Sequence, residues 1–416
     1  MRLRQSEVIM KIIYFHTALA LFAIGGLSAP LALAAQITFS GILDSTVSMN
    51  AGAGKEPGTR DFSGGMEEFA NLRFQSKLRD SAVIYGAVNL IAAAGDYAAN
   101  AARLSAYNAV RLAANAEDDA PPAVSPSAYV YGENYIAAIE LERLYFRLNG
   151  EYIAFDAGLF RLPFGYGQIW GPSDFLNPKN PLKPDARPRA VLGAGFFWYP
   201  NENLKLLGFG AASREPLSLG GEGAITGISL DQHWDSASVQ VLYSYETPKE
   251  LSSFGIHRAG FSLKFDMEAG FVLDALYTYN HEEKTEVEGL SFSTGFDYSF
   301  FDGNLIVLVE YLYNGYASST ALEYGGSFIN NYYLYAGFTL RFTDLTSATA
   351  ALIYGFEDVS FTPVISLNHE LFQGAALTIT AQVPLDRDLF YDDGRTGEFG
   401  PRSYNFNGTV RLRLRF

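Results

Sequence analysis

From about residue 36 to its last residue the chain alternates apolar and polar positions with a period of two. The final segment shows this most plainly. Phe406, Gly408, Val410, Leu412, Leu414 and Phe416 share one parity, and Asn405, Asn407, Thr409, Arg411, Arg413 and Arg415 share the other. Successive side chains of a strand point to opposite faces, so the segment is predicted to be a strand with one greasy and one cationic face. The pattern recurs at 70–79, where Ala70, Leu72, Phe74 and Leu78 oppose Asn71, Arg73, Gln75, Lys77 and Arg79, and again at 258–267, 290–300, 332–342 and 375–383. A soluble fold would have to hide every one of these apolar faces in a single core. Many segments of about ten alternating residues predict instead an all-β transmembrane antiparallel barrel. Such a sheet must close, because an open edge leaves backbone groups unpaired in hydrocarbon.

About eighteen strands are expected, with sixteen as the fallback. They begin near Gln36, Met66, Ala82, Tyr135, Glu151, Arg189, Asn203, Gly223, Ser236, Gly255, Gly270, Glu288, Asn304, Asn330, Thr346, Ser360, Gly374 and Ser403. Short links with turn chemistry, such as Asn149-Gly150, Asp302-Gly303 and Gln373-Gly374, alternate with long ones at 51–64, 95–134, 162–188, 214–222, 247–254, 282–287, 316–329 and 385–402. Only the link near Asp358 breaks the alternation by being short. Short periplasmic turns and long extracellular loops give the barrel its sidedness. The Ala-rich stretch from Ala98 to Ala114 suits a short helix within its loop.

The first 34 residues read as a cleaved secretory signal: Arg2, Arg4 and Lys11 precede an apolar stretch that ends in Ala32-Leu33-Ala34. Met10-Lys11 would itself make a conventional start. The mature barrel is then 35–416, without any run of about 18 apolar residues. Composition sharpens the class. The chain has 416 residues and no cysteine, so a disulfide framework or thiolate metal site is excluded. Its net charge of −15 disfavours nucleic acid as a partner, since phosphate binding needs clustered cations.

With its signal segment, its alternation to the last residue and its C-terminal aromatic Phe416, the chain resembles the bacterial outer-membrane porins. The resemblance implies location in the outer membrane, contact with its lipid, assembly by the barrel-assembly machinery, possible homotrimers, and passive diffusion of small polar or anionic solutes. A surface adhesin or structural barrel with an occluded lumen, and a fatty-acid-type channel, are the alternatives. The apolar lumen face of 304–314 (Ile306, Leu308, Leu312) favours the last of these, whereas the absence of an N-terminal hatch counts against it.

Residues 162–188 form the most distinctive link, with prolines at 163, 172, 178, 181, 184 and 188 that forbid a strand and stiffen the path. Two readings are open. The link is a constriction element folded into the lumen, with Trp170, Asp174, Asn177, Lys179, Lys183 and Arg187 on its polar edge. Alternatively it is a lid or plug packed by Phe164, Tyr166, Trp170 and Phe175. Strand parity points Arg411, Arg413 and Arg415 inward on the last strand, which closure makes the neighbour of the first, and Arg73, Lys77 and Arg79 inward one strand further on. Arg143 and Arg147 join them on the fourth strand, where Glu140 and Glu142 on the opposite parity suggest a bulge. Charges in a narrow pore focus its field, so these cations either select anionic solutes or brace the wall against acids of the inward loop. Acids crowd the long loops, including Asp386, Asp388, Asp392, Asp393 and Glu398, without metal-loop spacing. No catalytic, cofactor or metal motif is present: the four mature histidines form no HExxH pair, and His369 and Glu370 must face opposite ways.

Overall fold

The computed structural model describes residues 36–53, 60–79, 81–95, 127–132, 135–178, 188, 190–212, 223–247, 255–280, 289–315, 330–385 and 406–416. The expected signal segment, the 98–114 helix and the acids between 386 and 398 lie outside the described residues. Within them the alternating segments become nineteen strands. The first six are β1 (Gln36–Ala53), β2 (Arg60–Arg79), β3 (Ala82–Gly95), β4 (Ser127–Gly132), β5 (Tyr135–Asn149) and β6 (Ile153–Phe160). Next come β7 (Val191–Asn201), β8 (Leu204–Ala212), β9 (Ala224–His233), β10 (Ala237–Glu246), β11 (Ile256–Asp266), β12 (Ala269–Asn280) and β13 (Leu290–Phe300). The last are β14 (Leu305–Asn314), β15 (Tyr332–Thr343), β16 (Thr346–Gly355), β17 (Ser360–Phe372), β18 (Ala375–Gln382) and β19 (Phe406–Arg415).

Neighbouring strands pair antiparallel, and β19 pairs with β1 from Ile42↔Arg415 to Ala51↔Phe406, which closes the sheet into a barrel. Eighteen strands make the wall. The remaining one, β4, falls inside the long 95–134 link and pairs only with the first half of β5, from Gly132↔Tyr135 to Ser127↔Glu140. The second half of β5 pairs with β6 along that same edge. β4 therefore extends the wall above β6 without adding a crossing. Links at the rim that holds Phe416 are short; the tight β13–β14 turn uses positive φ at Phe301, Asp302 and Gly303. At the opposite rim the β1–β2 link, 54–59, is shorter than the expected 51–64, and the β16–β17 link, 356–359, is short as well; there Asp358 accepts the backbone N–H and the hydroxyl of Ser360 at 3.1 and 2.8 Å.

The two faces of the wall differ as the alternation requires. Outside stand Phe39, Val47, Trp198, Ile228, Phe338, Ile365 and Val410, all exposed. Inside stand polar and small side chains, and with them two apolar clusters. One joins Leu207, Phe209, Ala211, Ile225 and Leu242 of β8–β10 to Phe160, Leu162, Phe164 and Leu176. The other joins Leu312, Tyr333 and Ile353 of β14–β16 to Trp170. Both clusters lie on the inward parity, so the core of this protein is inside its barrel, and residues 161–178 complete it.

Candidate functional site in the barrel lumen

Beyond Phe160 the chain leaves the wall and crosses the interior. Its prolines remove backbone donors and prevent strand pairing, so the remaining N–H groups must find other acceptors. The wall supplies them from inward positions. Gln240 of β10 accepts from Gly165 N–H at 2.6 Å. Glu310 of β14, which is 0% exposed, accepts from three successive N–H groups, those of Gln168, Ile169 and Trp170, at 3.1, 3.0 and 2.8 Å. Asp297 of β13 accepts from the Gln168 amide at 2.8 Å, and Asp274 of β12 accepts from Ser173 and, at 2.7 Å, from Ser262 of β11. Ser293 of β13 donates to the Trp170 carbonyl at 3.2 Å. A buried carboxylate is costly unless hydrogen-bonded, and here a turn of N–H groups serves as its counter-charge. The segment also touches β11 through Arg258, whose guanidinium lies 4.9 Å from the Phe175 ring centre. Tyr166 points toward Asp231 of β9 (3.5 Å), and burial, then that carboxylate, holds its phenol above the ordinary range.

The opposite wall, β19 through β6, is built on arginine. Arg413 of β19 grips Asp44 of β1 with two bonds of 2.7 Å, and Arg147 of β5 grips Asp156 of β6 at 2.7 and 2.5 Å. Such forked pairs are the strong form of ion pair. Arg147 also lies over the stacked rings of Tyr85 and Tyr145, 6.0 and 5.8 Å from their centres. Opposite Tyr145, β6 carries Gly158 (φ 127), where a Cβ would meet the Leu144 carbonyl, so the close approach of the two strands there needs glycine. Next to this, the pairing of β3 with β5 shifts between Ala87 and Val88, leaving Glu142 as the extra residue. The bulge turns Glu140 and Glu142 inward beside Arg143, as the conflict of parities suggested. Glu142 takes hydrogen bonds from Asn71 and, at 2.7 Å, from Arg161, with Arg143 at 3.5 Å. Arg73 donates to Asn71 at 2.6 Å, and with Thr38, Ser40, Gln75, Tyr85 and Arg143 it lines a recess of about 120 Å³.

Arg73, Lys77, Arg143, Arg147, Arg411, Arg413 and Arg415 thus all share the inward face of one stretch of wall, on β19, β2 and β5 with β1 and β3 between them, and Lys77 and Arg415 are exposed near the short-turn rim. Arg79 ends β2, and its side chain is outside the described residues, as are Lys179, Lys183 and Arg187. Trp170, Asp174 and Asn177 were expected on a polar edge, and the structure corrects this: they are 3%, 2% and 1% exposed. Asp174 accepts from Phe164 N–H at 3.2 Å and Asn177 from Leu162 N–H at 2.8 Å. A proline-broken segment inside a barrel must satisfy its own backbone first, and these two side chains do so. The acids that pair with the arginines also differ from expectation. They come from adjacent strands, not from the inward segment, which contributes a cation, Arg161. Sequence reading missed Asp44, Asp156 and Glu310. Their signal was a lone acid among apolar or small residues, as in Val309-Glu310-Tyr311.

No protein-family model matches the sequence, and no curated protein matches it. Solved structures do match in fold. OccAB4 of Acinetobacter baumannii superposes with a TM-score of 0.53 at 10% identity, over 91% of this chain and 97% of that one. A BenF-like porin from Pseudomonas fluorescens Pf-5 gives 0.52 at 9%, over 92% and 98%. Pseudomonas aeruginosa OccD3 (OpdP) gives 0.52 at 8%, over 91% of each. The chain therefore shares the fold of these proteins across nearly its whole length.

Proposed function

We propose that this protein is an outer-membrane channel through which small polar or anionic solutes diffuse passively, without catalysis or cofactor. An apolar exterior and a closed polar interior suit a barrel with lipid outside and water within. The fold shared with a protein described as a porin supports the same reading. The single observation that carries it is the one-sided placement of residues 161–178. They pack on the inner faces of β8 through β16, which narrows the lumen and leaves the wall from β19 to β5, with the arginines of β19, β2 and β5, to border the path that remains. A cationic border beside low-dielectric walls attracts anions. Secretion through a cleaved signal peptide at 1–34 belongs to this proposal.

Conductance of the purified protein in planar lipid bilayers tests it. Discrete ohmic steps are expected. A folded barrel that inserts and stays silent would overturn the channel reading and favour an occluded surface protein.

A further inference from the structure

Four residues below Tyr335 and Ile353, clear of the cluster around Trp170, one cross-strand row of the inner face carries a hydroxyl at every position from β15 round to β1, beginning beside Ile306 of β14. Direct register partners run Thr339 (β15), Thr349 (β16), Ser366 (β17), Thr380 (β18) and Thr409 (β19). All five are partly exposed. The row ends on β1 at Ser48, the partner of Thr409, which is buried and donates to the Gly65 carbonyl at 3.4 Å. Within it, Thr339 and Thr349 lie 2.9 Å apart, and Ser366 and Thr380 2.8 Å. A hydroxyl has one donor and two acceptor sites, so these internal bonds leave acceptor capacity free. The adjoining row on β15–β17 is small and apolar: Gly337, Ala351 and Val364.

Strands about 4.8 Å apart and tilted by about 40° make such a row climb roughly 3 Å along the barrel axis per strand. Four steps therefore span about 12 Å of the path on the same geometry. Simple ions gain little from an uncharged row. A solute with hydroxyl edges and C–H faces gains two things at once: a succession of donors and acceptors that replace water, and an apolar floor.

We propose that this row is a track for neutral polyhydroxylated solutes, sugars and sugar alcohols, and that it gives the channel a preference for them over ether-type solutes of equal size. The inference rests on the channel reading above and names a solute class for it. Proteoliposome swelling measures it with a hexitol and an ethylene-glycol oligomer of matched size, while KCl conductance of the same preparation reports an open, folded channel. The wild-type channel should admit the hexitol faster. In the variant T349V/S366A/T380V the hexitol-to-glycol ratio should fall about threefold to tenfold. Thr349→Ser, which keeps the hydroxyl, should retain the preference, and Thr380→Val alone should lose part of it should the triple variant fail to fold. A conducting wild type with no preference, or a conducting triple variant with the preference intact, overturns the row and leaves the channel standing. A wild type that does not conduct sinks both.

Discussion

Two stretches of the inner wall hold charge in opposite ways. From β19 through β6, arginines meet carboxylates on the neighbouring strand, side chain to side chain: Arg413 with Asp44, Arg147 with Asp156. From β12 through β14, acids meet donors from a chain segment far off in sequence: Asp274 with Ser173, Asp297 with Gln168, Glu310 with three consecutive backbone N–H groups. The difference shows how a barrel decides which side of its lumen to fill. An ion pair across one strand gap is neutral by itself and leaves the space before it open. A buried carboxylate is costly unless its oxygens meet donors, and residues 161–178 bring donors to Asp274, Asp297 and Glu310, along with Trp170 and Phe164 to cover apolar wall.

Removing the acid on the filled side should have the largest effect. Glu310→Ala takes the acceptor from three N–H groups, that of the buried Trp170 among them, at a cost on the order of 4 kcal/mol, and should release the segment from β14. Single-channel conductance is expected to rise several-fold, with little loss in the thermal stability of the barrel. The matching change on the open side is Arg147→Ala, which leaves Asp156, 1% exposed, without its partner. A loss of about 3 kcal/mol is expected in urea unfolding from detergent or lipid, largely restored in the double variant R147A/D156A. Conductance should change little. Smallest is Asn177→Ala, which removes the acceptor of Leu162 N–H inside the segment. A loss of roughly 1.5 kcal/mol is expected, read as faster proteolysis at 161–178 with the wall intact. If Asn177→Ala loosened the barrel as much as Arg147→Ala, the contrast between the two walls would fail.

Much of this was legible in the chain. Most rim-to-rim strands begin within three residues of where the period-two alternation places them, because a wall that is apolar outside and polar inside writes its faces into each strand; β2 is the exception, starting at Arg60 and not near Met66. The Glu142 bulge was legible too, from Glu140 and Glu142 on one parity and Arg143 and Arg147 on the other. β4 was not: six residues, Ser-Ala-Tyr-Val-Tyr-Gly, extend only part of one neighbour and carry too short a pattern to stand out from their Ala-rich surroundings. The prolines at 163, 172 and 178 announced a rigid segment, while its path depended on partners such as Glu310, some 140 residues away. Alternation tells which way a side chain points and nothing about what meets it from across a lumen. For that reason Asp174 and Asn177 looked like a polar edge and are buried caps.

The measurement that bears most directly on the uncovered arginine wall is the zero-current potential in a KCl gradient, taken for the wild type and for the charge-reversed variant R73E/R411E. The wild type should show chloride preferred over potassium, and the variant should lose or reverse that preference while still conducting. Cation preference in the wild type, or the same anion preference in both, would contradict it.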